Sequence, residues 1–291
     1  MENWILRQNG YTPEDTALNG NRFLCANGYM GMRGTLEEDG SRQFAAVTLA
    51  NVYDQYGNRW REPVNVPRGL SVKLNFDGRI LTPDVRETKQ HVTELDYRYG
   101  LFSRNTDFGP LCLQSERFLS MADCHLMTDR LHIRCLRDGM LEIHTGISAD
   151  IWDINGPHLF DMRYQTGKVL CCEAVTGEKK TGIAVAQCVL PECDGEESFA
   201  EGKEGVFRIW RKRVRNGEEL KLAVFAAVWT SLDCPDWKNA AEKSCLNAER
   251  KGFDACLREH IQAWNAIRDM SEVVLEGMMR QRLRCGPASI I

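Results

Sequence analysis

Two carboxylates set across a gap can act as acid and base, and three adjacent glutamate pairs occur here: Glu37–Glu38, Glu196–Glu197 and Glu218–Glu219. Neighbours along a strand point to opposite faces, so no such pair can straddle one bond. They read as solvated turn or edge residues. The six histidines are scattered, and none stands at a spacing that suggests a metal site. Gly28, Gly31 and Gly34 recur at three-residue spacing, which invites a phosphate-loop reading. A phosphate cradle needs a strand before it and a helix after it, whereas both flanks here look β-like. Turns or close backbone packing are the expectation. Arg33 lies near Glu37 and Glu38 and is expected to pair with them, with a ligand contact as the second reading. Tyr53, Trp60 and Trp152 offer aromatic faces that suit a ring-shaped ligand, although core or interface packing is the first reading for each.

The elements that must position these groups read mainly as strands. Val72, Leu74 and Phe76 alternate with polar residues before Asp77-Gly78, a hairpin signal. Leu131, Ile133 and Cys135 alternate likewise, Asp138-Gly139 follows, and Leu141, Ile143 and Thr145 resume the pattern. That predicts a second hairpin. Two more are predicted, 168–175 with 183–190 and 206–214 with 220–230. The run 220–229 is almost continuously apolar, as in a strand covered on both faces. Many long strands without helical crossovers predict a large antiparallel sandwich. Beyond Pro235 the pattern turns helical. Residues 237–250 form one helix, Gly252 breaks it, and Phe253, Leu257, Ile261, Trp264 and Ile267 make an apolar stripe at helical spacing. That stripe needs another surface to cover it.

Composition sets the class. The chain has 291 residues, 43% apolar and 27% charged, with a net charge of −4, so nothing electrostatic argues for nucleic acid or an acidic membrane. The basic run Arg208–Arg215 reads as the solvated part of a long strand. Residues 1–7 lack the apolar core of a signal peptide, and no stretch approaches the ~18 apolar residues of a membrane-spanning helix. A cytoplasmic location is therefore expected. The 12 cysteines then read as reduced thiols acting as small hydrophobes, and no paired CxxC spacing suggests zinc.

Three segments resemble glycoside hydrolase family 65, whose members include maltose, trehalose and kojibiose phosphorylases. The first is Cys25-Ala-Asn-Gly-Tyr-Met-Gly-Met-Arg-Gly-Thr-Leu-Glu-Glu38. The second runs from Ala50-Asn-Val-Tyr-Asp54 to Pro63-Val-Asn-Val-Pro67. The third joins Glu116-Arg-Phe-Leu-Ser-Met-Ala-Asp-Cys-His-Leu126 to Ile151-Trp-Asp-Ile-Asn-Gly-Pro-His158. The resemblance implies a galactose-mutarotase-like β-supersandwich over residues 1–232, a helical linker over 233–270 and the start of a catalytic barrel at 271–291. It implies inverting phosphorolysis or hydrolysis of an α-glucosyl disaccharide, inorganic phosphate as co-substrate with no other cofactor, and a homodimer. The general acid and the phosphate site belong to the family's barrel. No segment here matches the acid motif, so no catalytic residue is carried over, and the region is expected to be inactive alone. A free-standing carbohydrate-binding or dimerisation module is the alternative. Aldose epimerases share the sandwich architecture, and His125, His144 and His158 would be the histidines available for that proton transfer.

The resemblance stops after Gly277. The tail from Met278 holds three basic residues, Arg280, Arg282 and Arg284, and no acidic ones. Met278-Met279-Arg280 can be encoded so that a shift of one base restores the Asp-Asp-Glu expected there, and a one-base deletion accounts for such a tail. Arg268 stands where the family commonly has a second tryptophan four residues after Trp264.

Overall fold

The computed structural model describes residues 4–84, 88–191 and 194–271, so the tail from residue 272 and its proposed shift of frame lie outside the described residues. Three antiparallel sheets carry the fold. The largest has nine strands, in spatial order Ile5–Asn9, Gln90–Asp96, Leu101–Asp107, Leu111–Leu119, Leu126–Cys135, Glu219–Thr230, Gly182–Pro191, Leu170–Thr176 and Leu159–Gln165. A five-stranded sheet runs Glu196–Gly202, Gly205–Val214, Gly139–Ser148, Arg68–Phe76, Arg79–Leu81. A four-stranded sheet is built from Cys25–Ala26, Met30–Met32, Val47–Asp54 and Glu62–Asn65. Inward residues of all three meet in one core that includes Met32, Val47, Val72, Phe76, Phe102, Leu131, Ile143, Val185 and Val224. This is the sandwich that the strand alternation predicts.

Two of the predicted hairpins are not hairpins. Leu126–Cys135 pairs with Leu111–Leu119 and with Glu219–Thr230 in the large sheet, while Gly139–Ser148 pairs with Gly205–Val214 and Arg68–Phe76 in the five-stranded one. Gly205–Val214 and Glu219–Thr230 are likewise in different sheets. The two turns therefore cross from sheet to sheet, and they brace each other. The Asn216 amide donates to Asp138 Oδ1 at 2.8 Å, and the Cys135 amide donates to the Glu218 carbonyl at 2.8 Å. Gly139 is required at its crossing, since a Cβ there would lie 2.4 Å from the Phe76 ring. Alternation fixes which face a side chain takes, but partner choice depends on contacts far along the chain. The other two hairpins form as expected, Arg68–Phe76 with Arg79–Leu81 and Leu170–Thr176 with Gly182–Pro191.

Among the described residues there are three α-helices: α1 (Thr16–Arg22), α2 (Trp237–Lys251) and α3 (Phe253–Ser271). Gly252, with φ of +78°, separates α2 from α3 as expected. Both lie against the outer face of the large sheet. There Phe118, Leu126, Ala184, Ala186, Phe225 and Ala227 meet Ala241, Cys245, Phe253 and Cys256 in a second apolar cluster. Glu219–Thr230 is thus covered on both faces, its Val224 inward and its Phe225 under the helices. The described cysteines are all free, and most are buried in these clusters.

The buried stripe of α3 differs from the predicted one. Phe253, Cys256, His260, Trp264 and Arg268 are buried, while Leu257, Ile261 and Ile267 are half-buried. Phe118 stacks edge-on to Phe253 with centroids 5.5 Å apart. His260 accepts from the Met121 amide at 3.1 Å through Nδ1 and donates to the Tyr99 carbonyl at 2.6 Å through Nε2. Burial lowers its pKa to about 4, consistent with the neutral ring this bonding needs. The surface that covers the stripe is the sandwich's own sheet.

Candidate functional site

The segment Gly34-Thr-Leu-Glu-Glu-Asp39 leaves the small sheet and turns, so the strand rule of opposite faces does not apply to Glu37 and Glu38. Their carboxylates converge on a single guanidinium. Arg104 Nη1 donates to Glu37 Oε2 at 2.7 Å and to Glu38 Oε2 at 2.5 Å, and Nη2 reaches Glu38 Oε1 at 2.7 Å. Arg117 and Ser115 donate to Glu37 Oε1 at 3.1 and 2.9 Å. Arg117 also holds the Thr35 carbonyl, and Arg68 the Asp39 carbonyl. These groups are almost wholly buried, which corrects the expectation of solvated turn residues. Burial alone would raise the Glu37 pKa, but Arg117 and Arg104 outweigh it and bring it down to about 2. Burial and the Glu38 charge push Asp39 up to about 7. Asp129, opposite Arg117 in the ladder, is raised well above the usual carboxylate range by burial and by Glu37. One carboxylate is kept ionised and a neighbour is kept neutral, as in many acid–base sites. Here, however, every ionised oxygen already has a cationic or hydroxyl partner inside the core. The knot ties the first motif to the large sheet and has no hand free for a substrate.

A second constellation joins the second and third motifs. His158 is fully buried; its Nδ1 lies 3.1 Å from Asp54 Oδ2 and its Nε2 lies 2.8 Å from Glu62 Oε1. Asp54 also accepts from the Gly177 and Glu178 amides, and Glu62 from the Ile154 and Asn155 amides at 3.0 Å. Glu62, Asp153 and His158 place potential ligand atoms within 4.8 Å of one another. A cation there would displace the His158 Nε2 contact to Glu62 and compete with the Asn155 donors to Glu62, while the Nδ1 contact to Asp54 would remain; the Glu62 oxygens already have these partners, which fits a clamp on loop 151–158. Burial works against the His158 charge, but the hydrogen bonds to Glu62 and Asp54 outweigh it and hold its pKa above 6.5. A raised histidine pKa stabilises fully below the unfolded value and loses that contribution as pH rises through the folded one. Thermal midpoints measured from about pH 6 to about pH 9 should therefore fall in the native protein and fall less in His158→Gln. Parallel curves would show that His158 is not charged in the fold.

Around this clamp the surface is aromatic. Tyr53, Tyr56, Trp60 and Ile154 are 43%, 48%, 63% and 63% exposed. Trp152 is half-buried, edge-on to Phe44 at 5.2 Å, and its Nε1 is buried without a partner. Arg33 does not pair with Glu37 or Glu38. Its guanidinium donates to Asn21 Oδ1 and the Ala17 carbonyl, both at 2.5 Å, and so fastens α1. Gly28 takes φ of +84° in a turn, and a Cβ on Gly34 would lie 2.4 Å from the Phe23 carbonyl oxygen. Both glycines thus serve a turn or close packing. Arg208 is buried rather than solvated and donates to the Gly167 and Lys168 carbonyls at 2.6 and 2.8 Å.

The histidines named for proton transfer are all occupied structurally. His125 stacks on Trp229 at 3.6 Å and contacts the Val228 carbonyl, His144 lies beside Glu142 on the five-stranded sheet, and His158 is in the clamp. His132, which no spacing singled out, sits on the open face of the large sheet 3.1 Å from Glu219. Sequence reasoning also missed Arg104, Arg117 and Asp129. Charged residues at inward positions of apolar strands were the available signal.

The profile described as "Glycosyl hydrolase family 65, N-terminal domain" covers residues 6–267. The chain belongs to this family. Its family-65 relatives include the nigerose phosphorylase of Lachnoclostridium phytofermentans, 31% identical over 94% of this chain and 40% of that protein. The 1,2-α-glucosylglycerol phosphorylase of Bacillus selenitireducens is 27% identical over 84% of the chain and 33% of its own length. A solved structure from the human microbiome, provisionally named a kojibiose phosphorylase, superposes with a TM-score of 0.82 at 12% identity. That match covers 96% of this chain and 40% of the other, and it shows the fold. The family-65 chain described here therefore spans about 40% of the first of these relatives. No helix of the described residues is long and apolar enough to cross a membrane.

Proposed function

We propose that this region is the non-catalytic N-terminal scaffold of a phosphorylase or hydrolase acting on an α-glucosyl disaccharide, and that it has no activity of its own. The observation that carries the reading is the family match over residues 6–267, because the relatives it brings with it are named as α-glucoside phosphorylases. The internal pairing of Glu37, Glu38, Asp54 and Glu62 supports it. An inverting enzyme needs a carboxylic acid free to protonate the leaving oxygen, and these four are committed to the fold. In the phosphorylase case inorganic phosphate is the co-substrate of the longer enzyme. The division at about residues 232 and 270, assembly as a homodimer and residence in the cytosol complete the proposal. Tyr53, Trp60 and Trp152 are proposed as the sugar-facing aromatics of this region, while Arg33 supports α1 beneath the first motif.

A chimera tests the scaffold role. Residues 1–270 would replace the corresponding region of the Lachnoclostridium nigerose phosphorylase. The expected result is a folded chimera that still phosphorolyses nigerose. A folded chimera without activity would contradict a scaffold that is interchangeable within the family. Within an active chimera, Trp60→Ala should raise KM for the sugar with little change in stability, since Trp60 is exposed.

A further inference from the structure

The outer face of the large sheet is only half covered. At one end of the strands Phe118, Leu126 and Phe225 lie under α2 and α3. Further along the same strands, from Glu116 and Arg130 to Gln114, His132 and Lys221, the side chains of the same face are polar. They line a trough of about 480 Å³. Strand register arranges them in two rows. Asn105 lies opposite Gln114, Gln114 opposite His132 and His132 opposite Lys221. In the neighbouring row Arg7 lies opposite Glu94, Glu94 opposite Ser103, Ser103 opposite Glu116 and Glu116 opposite Arg130.

The charges of these rows are largely spent on one another. Arg7 pairs with Glu94 at 3.0 Å, Arg130 with Glu116 at 2.5 Å and with Asp254 of α3 at 2.7 Å, and His132 with Glu219 at 3.1 Å. The Asp254 contact ties the start of α3 to the trough. What remains without an intramolecular partner among the described residues is the Ser103 hydroxyl, the Asn105 and Gln114 carboxamides and the Lys221 ammonium. Carboxamides and hydroxyls both donate and accept hydrogen bonds. They suit a ligand that does the same at each repeat. Adjacent strands lie about 4.8 Å apart, close to the length of one hexose unit. A chain laid across the strands therefore meets a fresh pair of polar groups at each residue. An anion would instead lie among Glu94, Glu116 and Glu219, with Lys221 as its one uncommitted cation among the described residues.

We propose that this trough binds a linear, neutral oligosaccharide laid across the strands, with Asn105 and Gln114 as its central hydrogen-bonding pair. The proposal rests on the reading of the chain as part of a carbohydrate enzyme and gives that reading a second point of contact with sugar. Calorimetric titration of the 291-residue protein with maltotetraose tests it, with glucose and inorganic phosphate as comparison ligands. Saturable binding of maltotetraose, weaker for glucose, is expected. The exposed substitutions Asn105→Ala and Gln114→Ala together should weaken it by about tenfold or more, as loss of paired hydrogen bonds does, while circular dichroism stays unchanged. Absence of maltotetraose heat, binding of phosphate alone, or binding unaltered by the double substitution would each overturn the proposal. The chimera described above fails or succeeds independently, so loss of the trough and loss of the scaffold role are distinguishable.

Discussion

Arg104→Ala is expected to cost about 3–5 kcal/mol of folding stability, the range for removing one partner of a buried ion pair. Arg104 binds both Glu37 and Glu38, and all three side chains are under 10% exposed. Without it, two adjacent carboxylates are left in the core, with Arg117 to serve Glu37 alone. A domain of this size should then melt lower by on the order of 10 °C. Adding Glu37→Gln and Glu38→Gln to the same protein should recover part of the loss, because the penalty comes from unpaired charge more than from the missing contact. Acid should act in the same direction as the substitution. Glu37 is depressed to about 2 in the fold, so its contribution is present above the ordinary glutamate value and lost as pH falls from about 4.5 towards about 2. Thermal melts of the single and triple variants check this. A near-neutral Arg104→Ala would mean that the knot is not a structural element.

Phe253→Ala and Trp264→Ala are expected to cost about 3–5 kcal/mol each, as for buried aromatic side chains elsewhere. Phe253 is held between the Phe118 ring and the Arg130 guanidinium, whose Cζ lies 4.4 Å from the Phe253 ring centroid. Trp264 covers Gly100, where its ring would lie 3.7 Å from an added Cβ. Denaturant midpoints should fall for both, and α3 should become the first segment cut in limited proteolysis. Were α3 only a connector awaiting another surface, both substitutions would be close to neutral. The outcome therefore decides whether the helical segment belongs to the folding unit of the sandwich.

Much of the fold was legible in the sequence because alternation and helical periodicity are local properties. The strand at 220–230 announced its two covered faces, and Gly252 announced the helix break. The sheet-crossing turns after Cys135 and Val214 were not legible. An Asp-Gly or Asn-Gly pair looks the same whether the chain returns beside itself or passes to another sheet. The same limit applies to charge. Glu37 and Glu38 look like a solvated turn until Arg104 and Arg117, some 65 to 80 residues away, are brought over them. The α3 stripe was misplaced because counting apolar residues favours Ile261, whereas the burial chose His260, a polar ring whose two nitrogens find backbone partners. Tyr53 and Trp60 were legible as aromatics in a motif, yet their exposure was not, because nothing local distinguishes an exposed aromatic from a core one.

The proposal under test is that the ionisable groups of this region secure a fold and perform no cleavage. The purified 291-residue protein, incubated with inorganic phosphate and in turn with nigerose, kojibiose, trehalose and maltose, tests that most directly through release of glucose 1-phosphate. None is expected with any of the four. Phosphate-dependent release that survives further purification and disappears in Glu62→Gln or Glu37→Gln would contradict the account and place chemistry in this region.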